Sequence, residues 1–210
     1  MGLLRWLERK LVRPVRRYFQ NRADVQRLHA LAGRPVRLII GASGTKLPGW
    51  HETDQRYLDL LKPSDWERFF APASVAGIFA EHVWEHLTPA DALTAAGTCH
   101  RFLATGACLR VAVPDGLHPD PVYIDGVRPG GTGAGADDHK VLYDYRSLSR
   151  VFETAGFQVE LLEYFDETGT FHREDWSDER GRVARSSRYD RRNAGGTLAY
   201  TSLILDAVKR

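Results

Sequence analysis

From residue 35 onward, short runs of apolar and β-branched residues alternate with longer segments whose apolar positions recur every three or four residues. "VRLII" (Val36 to Ile40) ends at Gly41 in the manner of a buried parallel strand. A second short strand is predicted through "WHETD" to Asp54, a third through "YLDLL", and a fourth through "SVAGIFA" (Ser74 to Ala80). "PADALTAAGTCHRFL" has helical spacing, with Ala92, Ala95, Ala96, Cys99, Phe102 and Leu103 on one face. "CLRVAV" (Cys108 to Val113) reads as the fifth strand, "YRSLSRVFETAG" as a helix closed by Gly156, "FQVELLEYF" as the sixth strand and "TLAYTSLILDAV" as the last. The alternation predicts an α/β domain over residues 35–210, with a mainly parallel sheet and helices on both faces. A glycine-rich insertion (117–140) and a charged, aromatic hairpin excursion (166–196) interrupt it.

Residues 1–34 follow a different pattern. At ~100° per residue, Leu4, Leu7, Leu11, Val15 and Tyr18 share a stripe, and Arg5, Arg9, Arg13, Arg16 and Arg17 gather opposite. This is a basic amphipathic helical extension, in which Pro14 predicts a kink or a helix restart. Two placements are open: peripheral contact with an anionic membrane, each basic residue adding about 1 kcal/mol, or packing of the apolar stripe on the domain or a partner.

Charge and cysteine content narrow the function classes. A net charge of +2 over 210 residues is too small for general nucleic-acid affinity. Two cysteines, Cys99 and Cys108, form no CxxC pair, which argues against a disulfide framework or a cysteine-rich zinc site and suits a reducing cytoplasm. Charged residues interrupt the N-terminus where an export signal needs an apolar run, and no stretch of eighteen apolar residues occurs.

Open parallel sheets bind ligands beyond the carboxyl ends of their strands. The first such end, "LIIGASGTKLPGWHETD", offers a turn at Gly41, Ala42, Ser43 and Gly44 whose amides can meet an anionic group. Asp54 is placed to accept hydrogen bonds from ribose hydroxyls, and Asp59 to reach the same ribose or an adenine amino group. After the fourth strand comes "EHVWEHL", whose core fits the zinc-peptidase pattern H-x-x-E-H. That reading needs His82, Glu85 and His86 on a long helix and a third ligand such as Glu153, Glu160 or Glu163. The motif instead begins where a buried strand stops, so no metal is expected and zinc peptidase stays a minor alternative. "GTGAGA" (Gly131 to Ala136) matches a dinucleotide fingerprint in letters but follows no strand; a lid loop is expected there.

Taken in succession, "LIIGASGTKLPGWHETD", "LDLLKPSDW", "SVAGIFAEHVWEHL" and "LRVAVPDG" resemble the motifs of small bacterial class I S-adenosylmethionine-dependent methyltransferases. The likeness extends through "DDHKVLYDYRSL", "AGFQVELLEYFDE" and "YTSLILDAVK", covering residues 36–210. It implies a Rossmann-like seven-stranded sheet with an antiparallel last strand. It also implies S-adenosylmethionine as cofactor, with Gly41, Ala42, Ser43, Gly44 and Asp54 holding it, Asp59 beside the ribose or adenine, and Glu81 and His82 by the methionine half. Ser43 stands where members commonly carry a second glycine, and Gly77 where they carry an acid.

Methyl transfer to a hydroxyl or an ammonium group is helped by a base. Asp115, after the fifth strand, and His139, in "DDHKVLY", are the catalytic candidates, the ordinary imidazole pKa near ~6.5 favouring His139. Tyr143 either shapes the acceptor pocket or packs under the loop. Arg180, Arg182, Arg185, Arg188, Arg191 and Arg192 either form a solvated ion-paired surface or recognise an anionic acceptor. The expectation is a cytoplasmic methyltransferase, peripheral to the inner membrane, acting on a small-molecule or glycan O or N acceptor in cell-surface glycan synthesis. The alternative is a non-catalytic scaffold of the same fold that docks through residues 1–34.

Overall fold

The structure is a computed structural model that describes residues 13–31, 33–42, 44–196 and 198–210, with side chains from Arg22 onward. Leu4, Leu7 and Leu11 of the N-terminal stripe, and Ser43 in the first loop, lie outside the described residues.

Seven strands form one sheet in the order β2-β1-β3-β4-β7-β5-β6. They are β1 (Val36–Ile40), β2 (His51–Glu52), β3 (Val75–Glu81), β4 (Cys108–Pro114), β5 (Gln158–Phe165), β6 (Phe171–Arg173) and β7 (Ser202–Val208). β1 pairs in parallel with β2 and β3, and β3 with β4. β7 runs antiparallel between β4 and β5, so β5 points the same way as β1 to β4. The antiparallel final strand matches the sequence expectation.

The predicted third strand, "YLDLL", is not a strand. Residues 57–61 run through turns in which Asp59 accepts the backbone N–H of Leu61 at 2.9 Å, a local bond that competes with an extended ladder. Tyr57, Leu58 and Leu60 are nevertheless buried, which explains the strand-like letters. The seventh strand is supplied by β6, which pairs antiparallel with β5 inside the excursion.

The helices are α1 (Arg13–Ala30), α2 (Pro63–Glu67), α3 (Pro89–Phe102), α4 (Pro121–Val127) and α5 (Tyr145–Thr154). Local chemistry starts several of them. The Thr88 side chain accepts from Asp91 N–H ahead of Pro89, and Asp144 caps α5 in a reciprocal box with Ser147. Alternate residues of the central strands face opposite layers. Leu38, Ile40, Ile78, Ala80 and Val111 pack against α3 and α5 through Ala95, Phe102, Leu148 and Phe152. The same core takes Leu28 from α1, with Val25 and Leu31 against it, so the end of the N-terminal helix lies on the domain. On the other face, Ile39, Phe79, Ala112 and Ile204 meet Trp176 and Val183 of the excursion rather than a helix.

A buried ion pair fastens that excursion. Arg110 on β4 and its register partner Asp206 on β7 are bidentate, at 2.7 and 2.8 Å, with side chains 1% and 2% exposed. Nη1 of Arg110 also donates to the carbonyls of Ser177 and Gly181, at 2.6 and 2.7 Å. Glu163 makes a second anchor, accepting from Trp176 Nε1, Ser187 N–H and the Thr201 hydroxyl.

Candidate functional site

The carboxyl ends of β1, β3 and β4 open onto a chain of connected clefts. β1 ends in Gly41 at φ +61°, a conformation that favours glycine, and a Cβ there would lie 2.6 Å from Cγ2 of Val83. Glycine therefore lets the first loop cross directly over the turn after β3. A cleft of about 410 Å³ lies between them, walled by Gly41, Leu58, Leu60, Val83 and Leu87, with Asp59 and His82 at its edges. Asp59 is nearly buried and is balanced by the Lys62 ammonium at 3.1 Å. Asp54 lies in the adjoining hollow beside Gly44, Trp50 and Arg56. Its carboxylate is gripped bidentately by Arg56, at 2.7 and 2.6 Å.

His82 is the pivot of the site. Its backbone sits at φ +57°, an uncommon and costly conformation for a residue with a side chain, of the kind that clusters at functional sites. Its ring borders both the first cleft and a second of about 450 Å³ lined by Tyr123, Val127, His139, Arg185, Arg192 and Tyr200. A smaller hollow joins the two between Gly41, Glu85, His86 and His139. Nε2 of His82 lies 3.1 Å from the Ser202 hydroxyl, and Nδ1 lies 3.0 Å from Oε1 of Glu85. The second contact is close enough for charge attraction but poorly aligned for a hydrogen bond, and neither oxygen of Glu85 has a hydrogen-bond partner. Glu85, His82 and Ser202 do not make a nucleophilic triad, because Ser202 is fully buried in β7.

"EHVWEHL" occupies the end of β3 and one tight turn, Trp84–His86, rather than a long helix. The peptidase arrangement therefore lacks its scaffold. Glu163, one of its proposed third ligands, is committed to the excursion anchor, and Glu160 pairs with Arg180 at 3.0 Å. "GTGAGA" follows α4 and leads into the single turn Ala136–Asp138. A Cβ on Gly133 would lie 2.2 Å from the Gly126 carbonyl oxygen, so its glycine serves loop packing.

The two catalytic candidates part company. His139 lines the second cleft, and its Nδ1 donates to the Val127 carbonyl at 2.7 Å, which leaves the lone pair on Nε2. Asp115 is 0% exposed and lies outside the clefts, its carboxylate accepting from Phe165 N–H at 2.7 Å and Leu117 N–H at 3.0 Å. It ties β4 to β5. Glu81 likewise accepts from the backbone of Ala184 and Arg185, at 3.2 and 2.7 Å, and so pins the excursion beside the site. Sequence reasoning missed these anchoring roles because the partners lie far along the chain. The arginines divide in the same way: Arg180, Arg188 and Arg192 are ion-paired, whereas Arg185 and Arg192 also border the second cleft.

Burial raises the Asp115 carboxyl to about 6, the two amide bonds opposing that shift. Its ordinary value in an unfolded chain is about 3.9. Its contribution to stability is therefore fully present below about pH 4 and lost as pH rises through 6. Urea unfolding from pH 4 to 7 should show this part of the profile flattened in Asp115→Asn, by roughly 3 kcal/mol across the range. Parallel profiles for the two proteins would contradict the assignment.

This sheet, with clefts at the carboxyl ends of its parallel strands, has the strand order and directions of the class I S-adenosylmethionine-dependent methyltransferase fold. A solved structure from Thermotoga maritima, described as an S-adenosylmethionine-dependent methyltransferase and "possible histamine N-methyltransferase", is 12% identical. It aligns over 97% of this chain and 98% of its own, with a TM-score of 0.50. An S-adenosylmethionine-dependent methyltransferase from Archaeoglobus fulgidus is 13% identical over 99% and 100% of the two chains, with a TM-score of 0.46. No family profile matches the chain, and no curated protein matches it.

Proposed function

We propose that the protein is an S-adenosylmethionine-dependent methyltransferase acting on an oxygen or nitrogen acceptor. The observation that carries this reading is the placement of His82, held at φ +57° where the Gly41 cleft meets the cleft bearing Tyr123, Arg185 and His139. The residues present fit the cofactor. The Gly41 bend leaves room beside the first loop, apolar Leu60, Val83 and Leu87 suit a purine, and Asp59 and Asp54 suit its amino and ribose groups. Asp54 would exchange part of its contact with Arg56 for ribose hydroxyls. Ala42 and Gly44 belong to that loop and line the adjoining hollow, and Glu81 acts by holding the excursion against the site.

When bound, the cofactor supplies an electrophilic methyl group. The chain's part is to align the acceptor and exclude water. Tyr123 and Tyr200 wall the second cleft, Arg185 and Arg192 favour an acceptor with anionic character, and Nε2 of His139 can take the acceptor's proton. The basic N-terminal segment supports a finer reading, in which the acceptor is a glycan precursor handled at the cytoplasmic face of a membrane. No helix among the described residues is long and apolar enough to cross one.

A second reading, a non-catalytic scaffold of the same fold, draws support from the Asp54–Arg56 lock. Calorimetric titration with S-adenosylmethionine, followed by a mass-resolved screen of cell extract for a product heavier by one methylene, separates the two. The enzyme shows saturable binding and a new product, both lost in Asp54→Ala. A flat titration at hundreds of micromolar protein would sink the enzymatic reading.

A further inference from the structure

We propose that Glu85, His86 and His139 form a binding site for a divalent transition metal ion of the zinc type. One ligand-capable atom from each lies within 4.8 Å of the others. The set is two imidazoles and a carboxylate with room for a further ligand, the donor chemistry of open zinc sites.

Independent observations point the same way. Glu85 is 1% exposed, yet both its carboxylate oxygens lack a hydrogen-bond partner in the protein, as do Nδ1 of His86 and the Tyr143 hydroxyl. Burying polar groups without hydrogen-bond partners is costly, and these atoms have none although the His82 ring stands 3.0 Å from Glu85. His139 has the tautomer a ligand needs: Nδ1–H is spent on the Val127 carbonyl, and the free lone pair is on Nε2. The backbone holds the set together, because the Glu85 carbonyl accepts from Lys140 N–H at 2.7 Å, directly after His139.

Tetrahedral bonds of ~2.1 Å place ligand atoms about 3.4 Å apart, so the widest spacing in the cluster, up to 4.8 Å, must contract by up to about 1.4 Å on binding. Half-buried His86, whose Asp138 contact is a long 3.4 Å, is the ligand that would turn inward. His82, 3.0 Å from Glu85, would orient the carboxylate.

The site borders the hollow between the two clefts, so the ion would hold an oxygen of the acceptor. That role rests on the methyltransferase reading; ion binding itself does not. With the ion bound, Nε2 of His139 is a ligand rather than a base. An acceptor hydroxyl on the ion would then lose its proton to water through its lowered pKa.

The test is titration of the chelator-stripped full-length chain with Zn²⁺ in competition with a chromophoric chelator. One equivalent is expected, with affinity reduced at least tenfold in His86→Ala and in His139→Gln. Co²⁺ should give the intense visible bands of a four-coordinate site in the wild-type chain, which keeps the test decisive should a variant fold poorly. Absence of stoichiometric Zn²⁺ binding, of the Co²⁺ bands, or of any effect of both substitutions would overturn the proposal. Titration with S-adenosylhomocysteine in the same samples reports the cofactor reading separately. Cofactor binding without metal defeats only the metal site, and metal without cofactor binding defeats only the methyltransferase reading.

Discussion

Asp206→Ala should lower the unfolding free energy by about 3–5 kcal/mol, with a fall in Tm on the order of 10 °C. Removing Asp206 leaves the Arg110 guanidinium buried between β4 and the excursion, with the Ser177 and Gly181 carbonyls and the face of the Trp176 ring, 4.8 Å away, to balance its charge. It also removes one of the two carboxylate partners of Arg180, whose Nη1 lies 3.1 Å from Asp206 and 3.0 Å from Glu160. Replacing both members with apolar residues, Arg110→Met with Asp206→Leu, should recover most of the loss, since the penalty comes from the orphaned charge. Residues 174–190 should become sensitive to protease in the single variant and stay protected in the double one. A single-variant loss below 1 kcal/mol would show that the pair is not the excursion's main anchor.

Gly41→Ala should cost at least tenfold in affinity for S-adenosylmethionine, together with about 1–2 kcal/mol of stability from forcing a side chain into the left-handed region. The new Cβ would stand 2.6 Å from Cγ2 of Val83 at φ +61°, so either the first loop or the turn carrying His82 must move. Adding Val83→Ala removes Cγ2 and leaves the nearest contact at 3.9 Å. The double variant should regain part of the affinity while keeping the backbone cost. Binding equal to wild type in Gly41→Ala would remove this loop from the cofactor site.

The strands "VRLII", "SVAGIFA" and "CLRVAV" are legible because continuous apolar runs bounded by Gly or Pro have few other ways to be buried. "YLDLL" misleads because burial alone makes its letters strand-like, while Asp59 and Pro63 steer the chain into turns and a helix start. The local motif reading of "EHVWEHL" correctly separates it from a peptidase helix. It does not see that His139, rather than Glu153, Glu160 or Glu163, meets Glu85 and His86. Asp115 passes for a base because it follows a strand end, yet Phe165 reaches across from β5 to occupy it. Two isolated charges in otherwise apolar strands, Arg110 and Asp206, were the available signal for the buried pair: such charges require partners.

From the sequence alone come the alternation of strands and helices, the antiparallel closing strand and the loops that edge the cleft. The first and the last follow from short-range periodicity and turn chemistry, and the antiparallel closing strand follows from the resemblance to the methyltransferases. Only the tertiary structure decides that the excursion covers one face of the sheet, that Glu81, Asp115 and Glu163 are anchors, and that Glu85, His86 and His139 converge. Those outcomes depend on which distant segment supplies the partner of a buried charge, and a local pattern of residues carries no record of that distance.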